Sequence, residues 1–245
     1  MLFLFGLSHQ SHLAINSIYT WGYIMFSIIL FGIFIMHESK VKNPIIDIHL
    51  FRHPNFIIPI FATIGFGVAS AIIFIIPPYF LQTFKKLAPW QTGFVLLSAP
   101  LGLVIFSRMA GKFMRCYGTN FLMKIGICIM FIAFVGLSFI QANWPPYIIM
   151  SLLLLYWVGG GIFQPANIAS VMTSVPKEKQ GTIGSVQRML QNVAIAFGAA
   201  VAATFMSSQG NMETDGLIQA FQYSWYIAGG LLLFNLLCFL GYRKF

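Results

Sequence analysis

Residues 77–118 read PPYFLQTFKKLAPWQTGFVLLSAPLGLVIFSRMAGKFMRCYG, and the rest of the chain is organised around them. Residues 87–107 carry no charge, a run of about the 20 apolar residues that a helix needs to cross a bilayer core. The bracketing charges are positive only, with Lys85 and Lys86 before the run and Arg108, Lys112 and Arg115 after it. The stretch therefore reads as a helix end, a short basic loop, a spanning helix, and a second basic loop holding Gly111 and Gly118.

Composition extends this reading to the whole chain. Hydrophobic residues make up 58% and charged residues 8%, with a mean hydropathy of +0.83. A soluble domain carries about a quarter charged residues, so the sequence predicts an all-α, polytopic membrane protein. The net charge of +9 would suggest nucleic acid in a soluble protein. Here no basic patch interleaves with aromatics on a polar face, and the loop cations are read as topology signals. The cysteines Cys116, Cys128 and Cys238 show no CxxC spacing, which points to neither a zinc site nor a disulfide framework.

Uncharged apolar runs define about seven spans, near 18–36, 56–83, 89–107, 125–141, 146–172, 182–206 and 217–242. The fifth opens on Pro145 and Pro146, residues suited to a helix start. Residues 1–17 read as the stub of a preceding helix and an outer loop, and 18–245 as one transmembrane helical domain. Alternate loops share their charge. Lys40, Lys42, Arg52, Arg108, Lys112, Arg115, Lys124, Lys177, Lys179, Arg243 and Lys244 fall on one side, and Lys85 and Lys86 on the other. The positive-inside rule makes the first group cytoplasmic. The C-terminus is then expected inside and the N-terminus outside, in the plasma membrane (the inner membrane of a Gram-negative cell).

In this order and spacing the motifs resemble those of the fourteen-helix drug:proton antiporter family of the major facilitator superfamily. Pro77, Tyr79 and Gln82 are similar to that family's Pro-x-Tyr-x-x-Gln helix end, and Ala88, Pro89 and Gly93 to its Ser-Pro-x-x-x-Gly helix start. Gly111, Phe113, Arg115, Cys116 and Gly118 resemble its Gly-x-Leu-x-Asp-Arg-x-Gly loop, with Arg115 where Asp is usual and Cys116 where Arg is usual. Residues 43–52 resemble its Pro-Leu-Leu-Asp-Leu-x-Leu-Phe-Arg linker, and 159–167 with 181–198 its glycine-rich helices. The resemblance implies the C-terminal half of a facilitator fold, covering helices eight to fourteen. It implies a multidrug or small-molecule efflux proton antiporter whose partners are the lipid bilayer, a hydrophobic or cationic small molecule, and a missing N-terminal half or another membrane subunit. The alternative is a truncated or decayed half with no independent transport.

Candidate chemistry is sparse. The acids Glu38, Asp47, Glu178, Glu213 and Asp215 and the histidines His9, His12, His37, His49 and His53 all lie outside the apolar cores of the spans. No hydrolase, metalloprotease or phosphate-loop motif occurs, so no catalytic residue, metal or cofactor is expected. A proton relay would need a buried acid or histidine, which places any titrating carboxylate in the missing half.

Arg188 is the one ionisable residue well inside a span. It shares a stripe with Gly181, Gly184, Gln191, Asn192, Gly198, Ala199 and Ala202 at helical spacing. It either lines a translocation path or pairs with an acid across the cavity, or else snorkels to the cytoplasmic interface. Tyr156, Gly160, Gln164 and Asn167 share a face of the fifth span, as cavity wall or packing surface, with Pro165 expected to kink the helix. Gln82 is a candidate for the cavity mouth. Thr63, Gly67 and Ser70 form a small-residue stripe read as packing.

Overall fold

The computed structural model describes residues 54–141, 143–207 and 214–241, together with Met25 and Ile29. The first expected span, the stub at 1–17, the linker at 43–52 and the tail cations Arg243 and Lys244 lie outside the described residues. Among those described, regular structure is helical, with no strand. In chain order the helices are α1 (Pro54–Thr83), α2 (Pro89–Leu96), α3 (Ser98–Tyr117), α4 (Thr119–Ser138), α5 (Pro146–Thr173), α6 (Gln180–Ser207) and α7 (Thr214–Gly241). A single 3-10 turn, Lys177–Lys179, precedes α6.

Helix starts follow local chemistry. Pro89 and Pro146 occupy the first turns of α2 and α5, where a missing N–H costs nothing. At α2 the Gln91 side-chain oxygen accepts from the Ala88 N–H at 3.0 Å. The span expected over 89–107 lies within Pro89–Tyr117, its helix divided at Leu97 into α2 and α3. Pro100 has no N–H to offer the Leu96 carbonyl, and its ring disfavours an unbroken ladder there. The basic loop expected at 108–124 is almost wholly helical: α3 continues to Tyr117 and α4 begins at Thr119. Gly118 alone separates them, with φ 78°, a backbone region that glycine enters freely. Charge marks where a helix leaves the hydrocarbon, not where it ends. Arg108, Lys112 and Arg115 therefore continue α3 beyond the apolar layer, all exposed.

Among the described residues, four helices are long and apolar enough to cross a membrane: Phe56–Thr83, Pro89–Tyr117 (counting α2 and α3 together), Thr119–Ser138 and Pro146–Thr173. Helices α6 and α7 have 28 residues each, a length of about 42 Å. Among the described side chains of α7, Trp225–Phe239 form an apolar run. Helix α6 is less apolar because it carries Gln180, Gln187, Arg188, Gln191 and Asn192.

Consecutive helices run up and down, and four of them, α1, α5, α4 and α7, pack in a ring. Helix α3 lies against α5, and α6 against α1. Exchanging α1, α2–α3 and α4 for α5, α6 and α7 leaves this pattern of neighbours unchanged. Because α1 and α5 are antiparallel, the two triplets form an inverted repeat.

Glycines sit at the seams. A Cβ on Gly159 would lie 2.7 Å from the Gly126 carbonyl oxygen, and one on Gly126 2.9 Å from that of Gly159, so α4 and α5 touch backbone to backbone. The α1–α6 seam is as close, with a Cβ on Gly198 falling 2.7 Å from the Val68 carbonyl oxygen. Its counterpart, α5 on α3, uses Gly161 and Gly102. Small residues permit this approach where lipid offers no hydrophobic drive between helices. Between the seams, Phe134 packs edge-on against Tyr156 and Trp225 at ring separations of 5.3 and 5.4 Å.

Candidate functional site

Two polar features interrupt this apolar bundle, one sealed inside it and one open. The sealed one joins three helices. Thr63 Oγ1 on α1 accepts from Asn167 Nδ2 on α5 at 2.7 Å and from Gln187 Nε2 on α6 at 3.2 Å. Its own hydroxyl donates to the Pro59 carbonyl at 3.0 Å. All three side chains are buried. Asn167 Oδ1 has no partner among the described residues. About two turns along α1, Ser70 and the buried Tyr156 hydroxyl share a hydrogen bond of 3.0 Å.

Sequence reasoning had Thr63 and Ser70 as packing residues and did not single out Gln187. The signal lay in the helical wheel. At 100° per residue, Gln187 falls on the same side of α6 as Ile183, Ala194 and Gly198, all buried. A polar side chain on that side must find a partner across the helix seam.

Replacing Thr63 with valine keeps the shape and strands both amides. The expected loss is about 1–2 kcal/mol, since interhelical hydrogen bonds in membranes are individually modest. Thr63→Ser should retain most of it. Thermal unfolding of the two variants in detergent checks this; equal midpoints would remove the node from the stability of the bundle.

The open feature is one face of α6. Gly181, Gly184, Ser185, Arg188, Met189, Asn192 and Val193 line a groove of about 680 Å³. Arg188 and Asn192 are exposed, and Arg188 makes no ion pair or hydrogen bond with a described residue. Arg188 is eight residues from the start of α6, about 12 Å along its axis. A charge near that depth facing hydrocarbon costs about 2.5–3.5 kcal/mol on insertion scales.

The stripe read from the sequence as a single face divides in two. Gly198 and Ala202 are buried, with Gly198 against Val68 of α1. The Gln191 carbonyl lies by Gly67 at the same seam, and the residue is half-buried. Gly181, Gly184, Arg188 and Asn192 remain on the open side.

The other expected residues are dispersed. Tyr156 and Asn167 are in the interior, Gln164 is half-buried on α5, and Gln82 is exposed in the last turn of α1. Gly111 is a helical residue of α3 with open space around it, and Arg115 is exposed in that helix's last turn. Among the described residues, no group of three or more His, Cys, Asp or Glu side chains could hold a metal.

Helices of bilayer length, an inverted repeat of helix triplets and a polar face on one flanking helix define a polytopic membrane protein of the transporter class. The chain belongs to the Major Facilitator Superfamily, which its sequence matches over residues 1–199. It is 28% identical over 228 residues to the riboflavin transporter RibZ of Clostridioides difficile, covering 88% of this chain and 47% of RibZ. It is 26% identical over 201 residues to the multidrug transporter protein MdtP of Bacillus subtilis, covering 79% of this chain and 36% of MdtP. With the quinolone resistance protein NorB of Staphylococcus aureus the identity is 25% over 247 residues, covering 94% of this chain and 50% of NorB. The chain spans at most about half the length of these curated relatives.

Proposed function

We propose that this chain is the C-terminal half of a fourteen-helix drug:proton antiporter and forms one wall of a path for small-molecule efflux. The observation that carries the reading is the open face of α6. It places Arg188 and Asn192 one turn apart on the open side of a helix packed against α1. Facilitator sites form between two halves near the midplane, and this polar face is the surface over which a second half would close. The similarity to a multidrug transporter protein and a quinolone resistance protein favours efflux over uptake. The path residues are Arg188 and Asn192, with Gln191, Gln164 and Gln82 at its margins. The coupling carboxylate belongs to the complementary half, because no Asp or Glu occurs between residues 54 and 177 or between 179 and 212.

Dye efflux tests the reading. Cells expressing this chain alone should show no energy-dependent export, and co-expression with a complementary N-terminal half from a relative should restore it. Robust export by the chain alone would overturn the two-half arrangement. A second reading, a decayed half without transport, is favoured by Arg115 and Cys116 at the loop positions described above. Failure of every co-expressed half to restore export, with both chains inserted, would select it.

The orientation belongs to the same proposal, with the C-terminus cytoplasmic. Cysteines introduced at Lys177 and Lys112 should be shielded from an impermeant thiol reagent outside the cell, and one at Lys85 should be labelled. Equal labelling of Lys85 and Lys177 positions from outside would overturn the assignment.

A further inference from the structure

We infer that the α6 groove recognises a carboxylate on the transported molecule, with the Arg188 guanidinium as its principal contact and the Asn192 amide beside it, so that the substrate class is an organic anion. This rests on the transporter reading above and departs from the hydrophobic or cationic substrate that the motif resemblance implies.

Charge is the first ground. Arg188 is permanently charged and has no ion-pair partner among the described residues. None of the acids Glu38, Asp47, Glu178, Glu213 and Asp215 belongs to α6, and the one whose side chain is described, Glu178, is exposed in the 3-10 turn before α6 and does not line the groove. No described side chain supplies a counter-charge to Arg188. A cationic molecule in the same space would meet only like charge.

Contrast with the other outward faces is the second ground. Helix α3 occupies the position in the first helix triplet that α6 occupies in the second. Its open apolar residues are Leu101, Val104, Ile105 and Met109, and it also turns Arg108, Lys112 and Arg115 outward, with no amide one turn from any of them. The exposed large side chains of α4 are Phe121, Ile132 and Val135. Helix α6 instead sets a cation and an amide one turn apart on its open face.

Geometry is the third ground. Arg188 and Asn192 are one turn apart on one face. An arginine fork takes a carboxylate through two parallel N–H donors, and the neighbouring Asn192 amide supplies a further donor. Gly181 has open space around it and Gly184 meets only the Met172 side chain, so the approach from the cation-rich end of the bundle is unobstructed by side chains of α6.

The test is equilibrium binding to the full chain in phosphatidylcholine nanodiscs, using two probes of one shape and opposite charge: 2-naphthoate and 2-naphthyltrimethylammonium. Naphthoate should bind about tenfold or more tightly than the cation at low salt, the scale of a charge-assisted bidentate contact. Arg188→Gln should erase that preference. Arg188→Lys should keep part of it, and Asn192→Ala, which leaves the charge intact, should weaken naphthoate about threefold. Equal binding of the two probes, a preference for the cation, or an unchanged preference in Arg188→Gln would each overturn the assignment. If the probes bind alike while Arg188→Gln abolishes co-purification with a complementary half, the carboxylate belongs to that half and not to the substrate. A naphthoate preference in a chain that supports no efflux with any complementary half would leave the groove assignment standing and overturn the transporter reading.

Discussion

Arg188→Leu, in a transporter assembled from this chain and a complementary half, is expected to lower efflux by at least about tenfold without loss of membrane protein. Removing a guanidinium that contacts the transported molecule forfeits a charge-assisted, bidentate interaction, and each 1.4 kcal/mol lost is a factor of ten. Insertion should not suffer. On translocon scales leucine is favourable and arginine unfavourable at membrane depth, a difference of about 3 kcal/mol in favour of the variant. Low activity could not then be blamed on poor expression. Arg188→Lys should retain an intermediate rate, because lysine keeps the charge and loses the planar fork. A residue that merely snorkels to the interface behaves differently, with lysine substituting freely and leucine leaving transport intact. Initial rates at matched membrane levels decide it, and full activity in the leucine variant would remove Arg188 from the mechanism.

The largest effect on stability is expected at Gly159. A Cβ there would stand 2.7 Å from the Gly126 carbonyl oxygen and 2.9 Å from the Met130 backbone nitrogen. Both are backbone atoms of α4, so no side chain can rotate away. Gly159→Val must push α4 from α5 along a backbone-to-backbone seam, at a cost of roughly 3 kcal/mol or more. The internal control is Gly230→Ala on α7, where a Cβ meets nothing within 4 Å. That change should be neutral or stabilising by up to about 1 kcal/mol, since alanine is the better helix former. Size-exclusion profiles and thermal midpoints in detergent compare the two. A Gly159→Val protein as stable as the Gly230→Ala protein would mean that α4 and α5 do not approach so closely.

Much of this architecture was legible before the fold was in hand. Five expected spans, at 56–83, 125–141, 146–172, 182–206 and 217–242, correspond to α1, α4, α5, α6 and α7 with ends shifted by at most six residues. Charge was the weaker guide to helix ends. Gly118 was correctly singled out, but its neighbours Arg115 and Lys124 belong to helices, because a helix can outrun the hydrocarbon it crosses. Pro100 carried the signal for the break at Leu97, hidden inside a run that apolarity alone makes continuous.

The division between the two kinds of information follows from the bilayer. In lipid every backbone polar group must be satisfied within its own segment, so length and apolarity decide helix by helix where the chain spans. Those are local properties, and the sequence by itself determined the all-helical class, the spans and the isolation of Arg188 among uncharged residues. Rotation of each helix about its axis is not local. It depends on which glycine meets which backbone, and the partner may be more than a hundred residues away, as Gly198 is from Val68. Only the tertiary structure therefore decided that Gly198 and Ala202 face α1 while Arg188 and Asn192 face outward. It also decided that Gln187, one residue from Arg188, turns inward to Thr63 and Asn167. Adjacent residues on a helix point about 100° apart, and the packing of α6 on α1 sends one amide into the core and leaves the neighbouring cation in the open groove.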